Sequence, residues 1–160
     1  MKRLEAGEDK EKIDEAAKVF GMPMGPIELA DTVGLDVCTH VGRILSKFSG
    51  ETTLDKMVAE GKLGKKSGQG FYSWVDGKPK KSDRAFDKAA LEQLGRELVE
   101  PLVAECERAR DERIVDSPDH VDAGVIFGTG FAPFRGGPLH YRAKQGNVVA
   151  MPTRTVAAAE

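Results

Sequence analysis

Apolar residues recur at helical spacing along most of the chain. Ile13, Ala16, Ala17 and Phe20 stand at i, i+3, i+4 and i+7 and predict a helix over 8–20 with one core-facing stripe. Acidic residues crowd its first turn, where a helix N-terminus favours negative charge. Gly21 ends it, and Met22-Pro23-Met24-Gly25-Pro26 is a segment no regular helix crosses. Pro26 suits the first turn of a new helix over 27–30, which Asp31-Thr32-Val33-Gly34 is expected to break. A helix restarts over 35–48, with Val37, Val41, Ile44, Leu45 and Phe48 expected inward. Thr52 or Thr53 caps a short helix to about 60, with Leu54, Met57 and Val58 on one face and Gly61 as its terminator.

The pattern then changes. Phe71-Tyr72-Ser73-Trp74-Val75 is a strand-like run, and Asp76-Gly77 follows it as a turn. Helical spacing returns with Leu91, Leu94, Leu98, Leu102 and Cys106. That stripe belongs to the longest predicted helix, opened by Ser82 or Asp83, running to about 113 and kinked at Pro101. Ser117-Pro118-Asp119 is a cap-plus-proline start for another helix to about 127, and a second glycine and proline block fills 128–138. Residues 146–160 show no periodicity and are expected to be disordered. The prediction is an all-α fold with one short extended segment near 71–75.

Two parts of this pattern resemble each other. Lys12-Ile13-Asp14-Glu15-Ala16 precedes Met22-Pro23-Met24-Gly25-Pro26, as His120-Val121-Asp122-Ala123 precedes Phe131-Ala132-Pro133-Phe134-Arg135-Gly136-Gly137-Pro138. The offset is 108 to 112 residues. This predicts a duplication: a first helical repeat over 1–60, a Gly/Lys-rich connector over 61–81, a second helical repeat over 82–145 and a tail over 146–160. The 91–106 helix has no full counterpart ahead of the first elbow, so the first repeat is expected to be N-terminally truncated.

Composition narrows the class. With 160 residues, 40% hydrophobic and 31% charged, the chain can bury a core and is not disordered by composition. A net charge of −2 lacks the basic excess of a dedicated nucleic-acid binder. No apolar run approaches the ~20 residues of a membrane span, and the start turns polar too soon for a signal peptide. Cys38 and Cys106 make neither a disulfide framework nor a four-ligand zinc site. A soluble, cytoplasmic protein of a reducing compartment is expected.

The charge is uneven. Six lysines against Asp76 give 61–81 a local charge of +5, leaving −7 for the remainder. In this stretch Lys65, Lys66 and Gly68 are candidate anion ligands, because glycine lets backbone N–H groups approach an anion and lysine supplies point charges for phosphate. The alternative is a solvated turn whose glycines serve only its bends. Met24, Gly25 and Pro26 are a candidate apolar pocket wall, or simply an elbow between helices. Phe131 and Phe134 of the second elbow are expected in the core. Gly68-Gln69-Gly70 and Gly128-Thr129-Gly130 begin a dinucleotide fingerprint but reach Ser73 and Pro133 at its last position, without a preceding buried strand. His40, His120 and His140 are scattered, and neither catalytic nor metal-binding residues are expected.

Gly21-Met22-Pro23-Met24-Gly25-Pro26-Ile27-Glu28-Leu29-Ala30-Asp31-Thr32-Val33-Gly34-Leu35-Asp36 resembles the C-terminal domain of L-3-hydroxyacyl-CoA dehydrogenases. Gly64-Lys65-Lys66-Ser67-Gly68-Gln69-Gly70-Phe71-Tyr72 is similar to that family's second signature. The block from Gly128 to Pro138 is similar to the multifunctional form of the family, the alpha subunit of the bacterial fatty acid oxidation complex. The resemblance covers about 3–143. It implies oxidation of (S)-3-hydroxyacyl-CoA by NAD in fatty acid β-oxidation. It also implies a histidine base oriented by a glutamate on a preceding Rossmann domain, and an asparagine near the start of the helical domain. The only asparagine here, Asn147, lies outside any matching motif.

The resemblance therefore implies a substrate-side and dimerisation domain that does not itself bind NAD and is inactive alone. Met24, Gly25, Pro26, Lys65, Lys66 and Gly68 would meet acyl-CoA. The implied partners are the Rossmann domain, a second copy in a homodimer and the thiolase beta subunit. A purely structural oligomerisation module of the same complex is the alternative. A helix-turn-helix nucleic-acid binder is a remote one, which the net charge opposes.

Overall fold

The computed structural model describes residues 2–46 and 50–148. Among them are eight α-helices and one two-stranded hairpin. The predicted all-α class, with one short extended segment, therefore holds. The chain divides into two compact units, Met1–Leu98 and Val99–Glu160. Most of the predicted tail, and Phe48, lie outside the described residues.

Unit 1 begins with α1 (Lys2–Glu5) and α2 (Lys10–Phe20). Asp9 starts α2 by accepting from the backbone N–H groups of Glu11 and Lys12 at 2.8 and 3.2 Å. Helix α3 (Pro26–Val33) runs through Asp31-Thr32-Val33, where a break was expected. Aspartate weakens a helix when its carboxylate competes for nearby backbone; that of Asp31 is engaged elsewhere, on the 71–74 segment. Helix α4 (Leu35–Ser46) follows, then α5 (Thr53–Ala59), which opens with a reciprocal capping box between Thr52 and Asp55.

The core of unit 1 gathers Ile13, Ala16, Ile27, Tyr72, Leu91 and Leu94, with Phe71, Trp74 and Leu98 packed against it. The predicted inward stripe of α4 is not inward. Val37, Val41, Ile44 and Leu45 are 43, 44, 63 and 79% exposed, whereas Leu35 is fully buried. Periodicity identifies an apolar face; it does not say what covers it.

The extended segment is shorter than the run of apolar residues suggested. Strand β1 (Trp74–Val75) pairs antiparallel with β2 (Lys78–Pro79), Trp74 opposite Pro79 and Val75 opposite Lys78. Asp76 and Gly77 turn between them with φ of 51° and 74°, the left-handed pair a two-residue hairpin requires. Helix α6 (Lys88–Asp111) starts at Lys88, not at Ser82 or Asp83. Ser82 donates its N–H and hydroxyl to Glu11 instead, and Asp87 accepts from the Ala90 N–H at 2.8 Å. The helix continues through Pro101.

Unit 2 contains the C-terminal part of α6, α7 (Pro118–Thr129) and α8 (Pro138–Val148). Ser117 caps α7 as expected, accepting from the His120 N–H at 3.3 Å. Cys106, Val121 and Leu139 form its core with Leu102, Val115 and Val125. Phe131 is fully buried and meets Tyr141 edge-on at 6.4 Å. Phe134, expected in the core, is 73% exposed. It sits on the 3-10 turn Pro133–Arg135, which begins two residues after the buried Phe131.

Candidate functional site

Two buried aspartates organise the predicted site residues. Asp14 on α2 caps α3: its Oδ1 accepts from the Ile27 N–H at 2.8 Å and its Oδ2 from the Glu28 N–H at 3.1 Å. These are donors the first turn of a helix leaves unsatisfied, at the end where a negative charge is favoured. The Tyr72 hydroxyl donates to the same carboxylate at 2.8 Å. Lys81 Nζ lies 3.5 Å from Asp14 and 2.5 Å from Glu28. The ammonium groups of Lys10 and Lys81 both lie at cation–π distance from the Tyr72 ring, 4.8 and 5.1 Å from its centroid.

Burial pushes the Asp14 carboxyl above the usual aspartate range, against the opposing hydrogen bonds from Tyr72 and Ile27 and the charge of Lys81. Burial, then the charge of Asp14, push the Tyr72 hydroxyl far up, so it remains a donor. For Lys81 burial acts downward, but the hydrogen bond to Glu28 and the charge of Asp14 outweigh it and raise the ammonium.

This places Gly25. A Cβ there would stand 2.2 Å from Asp14 Oδ1, so glycine lets the cap close. Gly25 is buried against Asp14, Pro26 is exposed at the first helical position, and Met24 is half-buried with Sδ 4.0 Å from Thr32 Oγ1.

Asp31, in the last turn of α3, holds the other candidate segment. Its Oδ1 accepts from the Phe71 N–H at 2.9 Å; its Oδ2 accepts from the Tyr72 N–H at 2.9 Å and the Trp74 indole N–H at 3.0 Å. Gly64 and Gly70 press against it: a Cβ on either would come within 2.2 Å of an Asp31 oxygen. Within the loop, the Gly64 N–H donates to Gln69 and the Trp74 N–H to Gly68, both at 2.9 Å. Ser67 Oγ accepts from the Leu63 N–H at 2.9 Å.

Lys65 and Lys66 ride on the 3-10 turn Lys65–Ser67, which Gly68 ends at φ 76°. Both are exposed. Lys66 Nζ reaches both oxygens of Asp36 at 2.6 and 2.7 Å, and this contact holds the Asp36 carboxyl below its usual range. Lys65 Nζ lies 5.5 Å from the Trp74 ring centroid.

The structure thus brings the elbow and the glycine–lysine loop onto one helix, the first at the start of α3 and the second tied to its end. Eight residues of α-helix span ~12 Å. Tyr72 joins them, giving its hydroxyl to Asp14 and its N–H to Asp31. Sequence reasoning did not single out Asp31, Tyr72 or Lys81. For Asp14 a signal existed in the repeated Ile13-Asp14 and Val121-Asp122 pairs. Asp122 does in unit 2 what Asp14 does in unit 1, accepting from the Leu139 and His140 N–H groups at 2.7 and 3.1 Å. A Cβ on Gly137 would lie 2.3 Å from the Asp122 Cβ.

Neither glycine pair fits NAD. Gly68-Gln69-Gly70 lies among antiparallel bridges, Gly64 to Gln69 and Gln69 to Ser73, not between a strand and a helix. Gly130, in left-handed backbone at φ 71°, caps the C-terminal end of α7, where the helix dipole disfavours phosphate. Among the described residues no three His, Cys, Asp or Glu side chains converge as metal ligands, and no helix is long and apolar enough to cross a membrane. Burial pushes the thiols of Cys38 and Cys106 up, away from thiolate chemistry.

The capped elbow and the clamped glycine–lysine loop both lie in the stretch that matches the C-terminal domain of 3-hydroxyacyl-CoA dehydrogenases. The family described as "3-hydroxyacyl-CoA dehydrogenase, C-terminal domain" matches residues 1–74, a little under half of the chain. More particularly, the chain is similar to the fatty acid oxidation complex subunit alpha. It is 37% identical to that of Shewanella putrefaciens over 153 residues, covering 84% of this chain and 21% of the relative. It is 38% identical to that of Vibrio vulnificus over 152 residues, covering 86% and 21%. The chain spans about a fifth of the length of these relatives. Among solved structures, the dehydrogenase part of multifunctional enzyme 1 from C. elegans shares the fold: its TM-score is 0.53 at 21% identity, over 70% of this chain and 29% of that one.

Proposed function

We propose that the chain is the substrate-side helical domain of an NAD-dependent (S)-3-hydroxyacyl-CoA dehydrogenase of fatty acid β-oxidation. A separate nucleotide-binding domain supplies NAD and the catalytic base, and fatty acyl-CoA lies in the cleft between the two. One observation carries this reading. Asp31 ties the glycine–lysine loop to the helix that starts at the Met24-Gly25-Pro26 elbow, so one short element offers an adaptable apolar side chain and two lysines. An acyl-CoA has an apolar chain and several phosphates, and asks for both. The enzyme acts in the cytoplasm. The two helical halves, 1–60 and 82–145, are repeats, which the matching Asp14–Gly25 and Asp122–Gly137 caps support.

The test is a calorimetric titration of acetoacetyl-CoA into the chain at low salt, repeated with Lys65 and Lys66 both changed to alanine. Saturable binding that weakens at least tenfold in the double variant is the expected result. No saturable heat, or binding the double variant leaves unchanged, overturns the assignment of the loop to coenzyme A. NADH-dependent reduction of acetoacetyl-CoA by the chain alone, above blank, overturns the division of labour.

A second reading has its own observation. Leu29 and Val33 of α3, with Val37, Val41, Ile44 and Leu45 of α4, are all 43% exposed or more. Such a face suits an oligomerisation module, joining a second copy or a thiolase beta subunit without touching substrate. A chain that elutes as a dimer and takes up no acetoacetyl-CoA would favour it.

A further inference from the structure

Unit 2 holds a cavity that the elbow cap does not use. Phe134 and Arg135 on the 3-10 turn Pro133–Arg135, and Tyr141, Lys144 and Gln145 on α8, line an open space of about 290 Å³. The three α8 residues fall at i, i+3 and i+4 and so share one face of the helix. The guanidinium carbon of Arg135 stands 5.3 Å from the ring centroids of both Phe134 and Tyr141, at cation–π distance from each. Among the described residues the lining holds two cations, Arg135 and Lys144, and no carboxylate, in a chain whose net charge is −2. At its edge Phe134 leaves 73% of its surface open.

We propose that this cavity binds a mononucleotide, with the base stacked on Phe134 and the phosphate held by Arg135 and Lys144. Each part of the lining asks for a different part of such a ligand. A bare anion has no use for an open aromatic face, and a hydrocarbon chain has no use for two cations. An aromatic ring stacks on any base, since every base has a π-face. Arginine offers a planar fork of donors that suits phosphate, lysine a point charge, and the Gln145 amide both a donor and an acceptor for a base edge. The size sets the limit. A cavity at the bottom of the ~300–1,000 Å³ range of small-molecule sites has room for one nucleotide, not two.

Calorimetric titration of AMP into the full chain tests this, with adenosine, ribose 5-phosphate and inorganic phosphate as comparison probes. AMP is expected to bind saturably, and each comparison probe at least tenfold more weakly. Phe134→Ala should weaken AMP at least tenfold and leave ribose 5-phosphate unchanged; its thermal melt checks that the fold is retained. Arg135→Gln and Lys144→Gln should weaken AMP and flatten its salt dependence. The Lys65/Lys66 double alanine variant should bind AMP as the parent does, which separates this cavity from the coenzyme A reading of the loop. No saturable AMP binding at millimolar concentration overturns the proposal. So does equal affinity for inorganic phosphate, or an affinity that Phe134→Ala leaves unchanged.

Discussion

Asp31→Ala removes one acceptor set from three donors at once: the backbone N–H groups of Phe71 and Tyr72 and the indole N–H of Trp74. A hydrogen bond to a charged group is worth ~1.5–3 kcal/mol, and a buried donor left unmatched carries its desolvation penalty as well. Tyr72 is 1% exposed and finds no water, whereas Phe71 and Trp74 are only partly buried and recover some. The three losses are not additive. The expected cost is therefore about 3–5 kcal/mol, a large share of the ~5–15 kcal/mol that holds a domain folded. Asp31→Asn keeps one acceptor and can retain the Tyr72 and Trp74 bonds, leaving the Phe71 N–H opposite an amide; about 1–3 kcal/mol is expected. Urea unfolding measures both. Trp74 is the only tryptophan, so its fluorescence reports directly on the clamped loop. Asp31→Ala should shift its emission to the red before any denaturant is added. A cost below ~1 kcal/mol with unchanged emission refutes the clamp, since it would mean that the three bonds contribute no more than water does.

The capped elbows predict that Gly25→Ala and Gly137→Ala each lower stability by about 1–3 kcal/mol through overpacking against a buried aspartate. Gly124→Ala in α7, where an added Cβ meets nothing within 4 Å, should instead raise it by up to ~1 kcal/mol; thermal melts decide the signs. Asp14 has a folded pKa raised above its ordinary 3.8. Its contribution is fully present below that value and falls as pH rises through the raised one. The stability difference between the parent and Asp14→Asn should shrink over that window in urea melts across pH, and a difference that grows overturns the sign. Lys66→Ala breaks a pair whose side chains are 47% and 40% exposed, and should leave the denaturation midpoint essentially unchanged, because solvent screens such a pair. If the α4 face joins copies, Leu45→Glu should convert dimer to monomer in sedimentation without changing the helical circular dichroism.

Much of the helical framework was legible because its signals are local. Ser117-Pro118 fixes the start of α7 through a side-chain acceptor and a proline at the first helical position. Thr52 and Asp55 do the same for α5, and Asp76-Gly77 supplies the two left-handed residues a tight hairpin needs. What was misread depends on distant partners. Asp31 looks like a helix breaker in sequence and becomes a helix residue because its acceptors go to positions forty and more residues away. Ser82 looks like a helix cap and is taken by Glu11. The α4 stripe looks like core, since an apolar face reads the same whether it is covered or open. The candidate site was legible as chemistry but not as arrangement. Lys65, Lys66 and Gly68 do lie in one loop, yet nothing local announces that Asp31 ties this loop to the helix carrying the elbow. Nor does anything local announce that Lys66 is paired with Asp36.

The two elbows differ in length. Twelve positions separate Asp14 from Pro26, and sixteen separate Asp122 from Pro138. Both spans end in the same device, an aspartate capping the next helix across a glycine too close for any Cβ. The first cap is reinforced by Tyr72 and Lys81 from the connector, so the shorter elbow is bound into the glycine–lysine loop. Asp122 takes its donors from Leu139 and His140, and the four additional positions accommodate the 3-10 turn that carries Phe134 and Arg135. The cap fixes the next helix in both units; the longer elbow buries Phe131 and adds an outward-facing turn at Phe134. Deleting four residues from the longer elbow while keeping Gly137 should therefore leave α8 capped by Asp122 and abolish AMP binding. A deletion variant that retains AMP binding, with its melting cooperativity intact, would mean that the aromatic and cationic lining is not what the extra length provides.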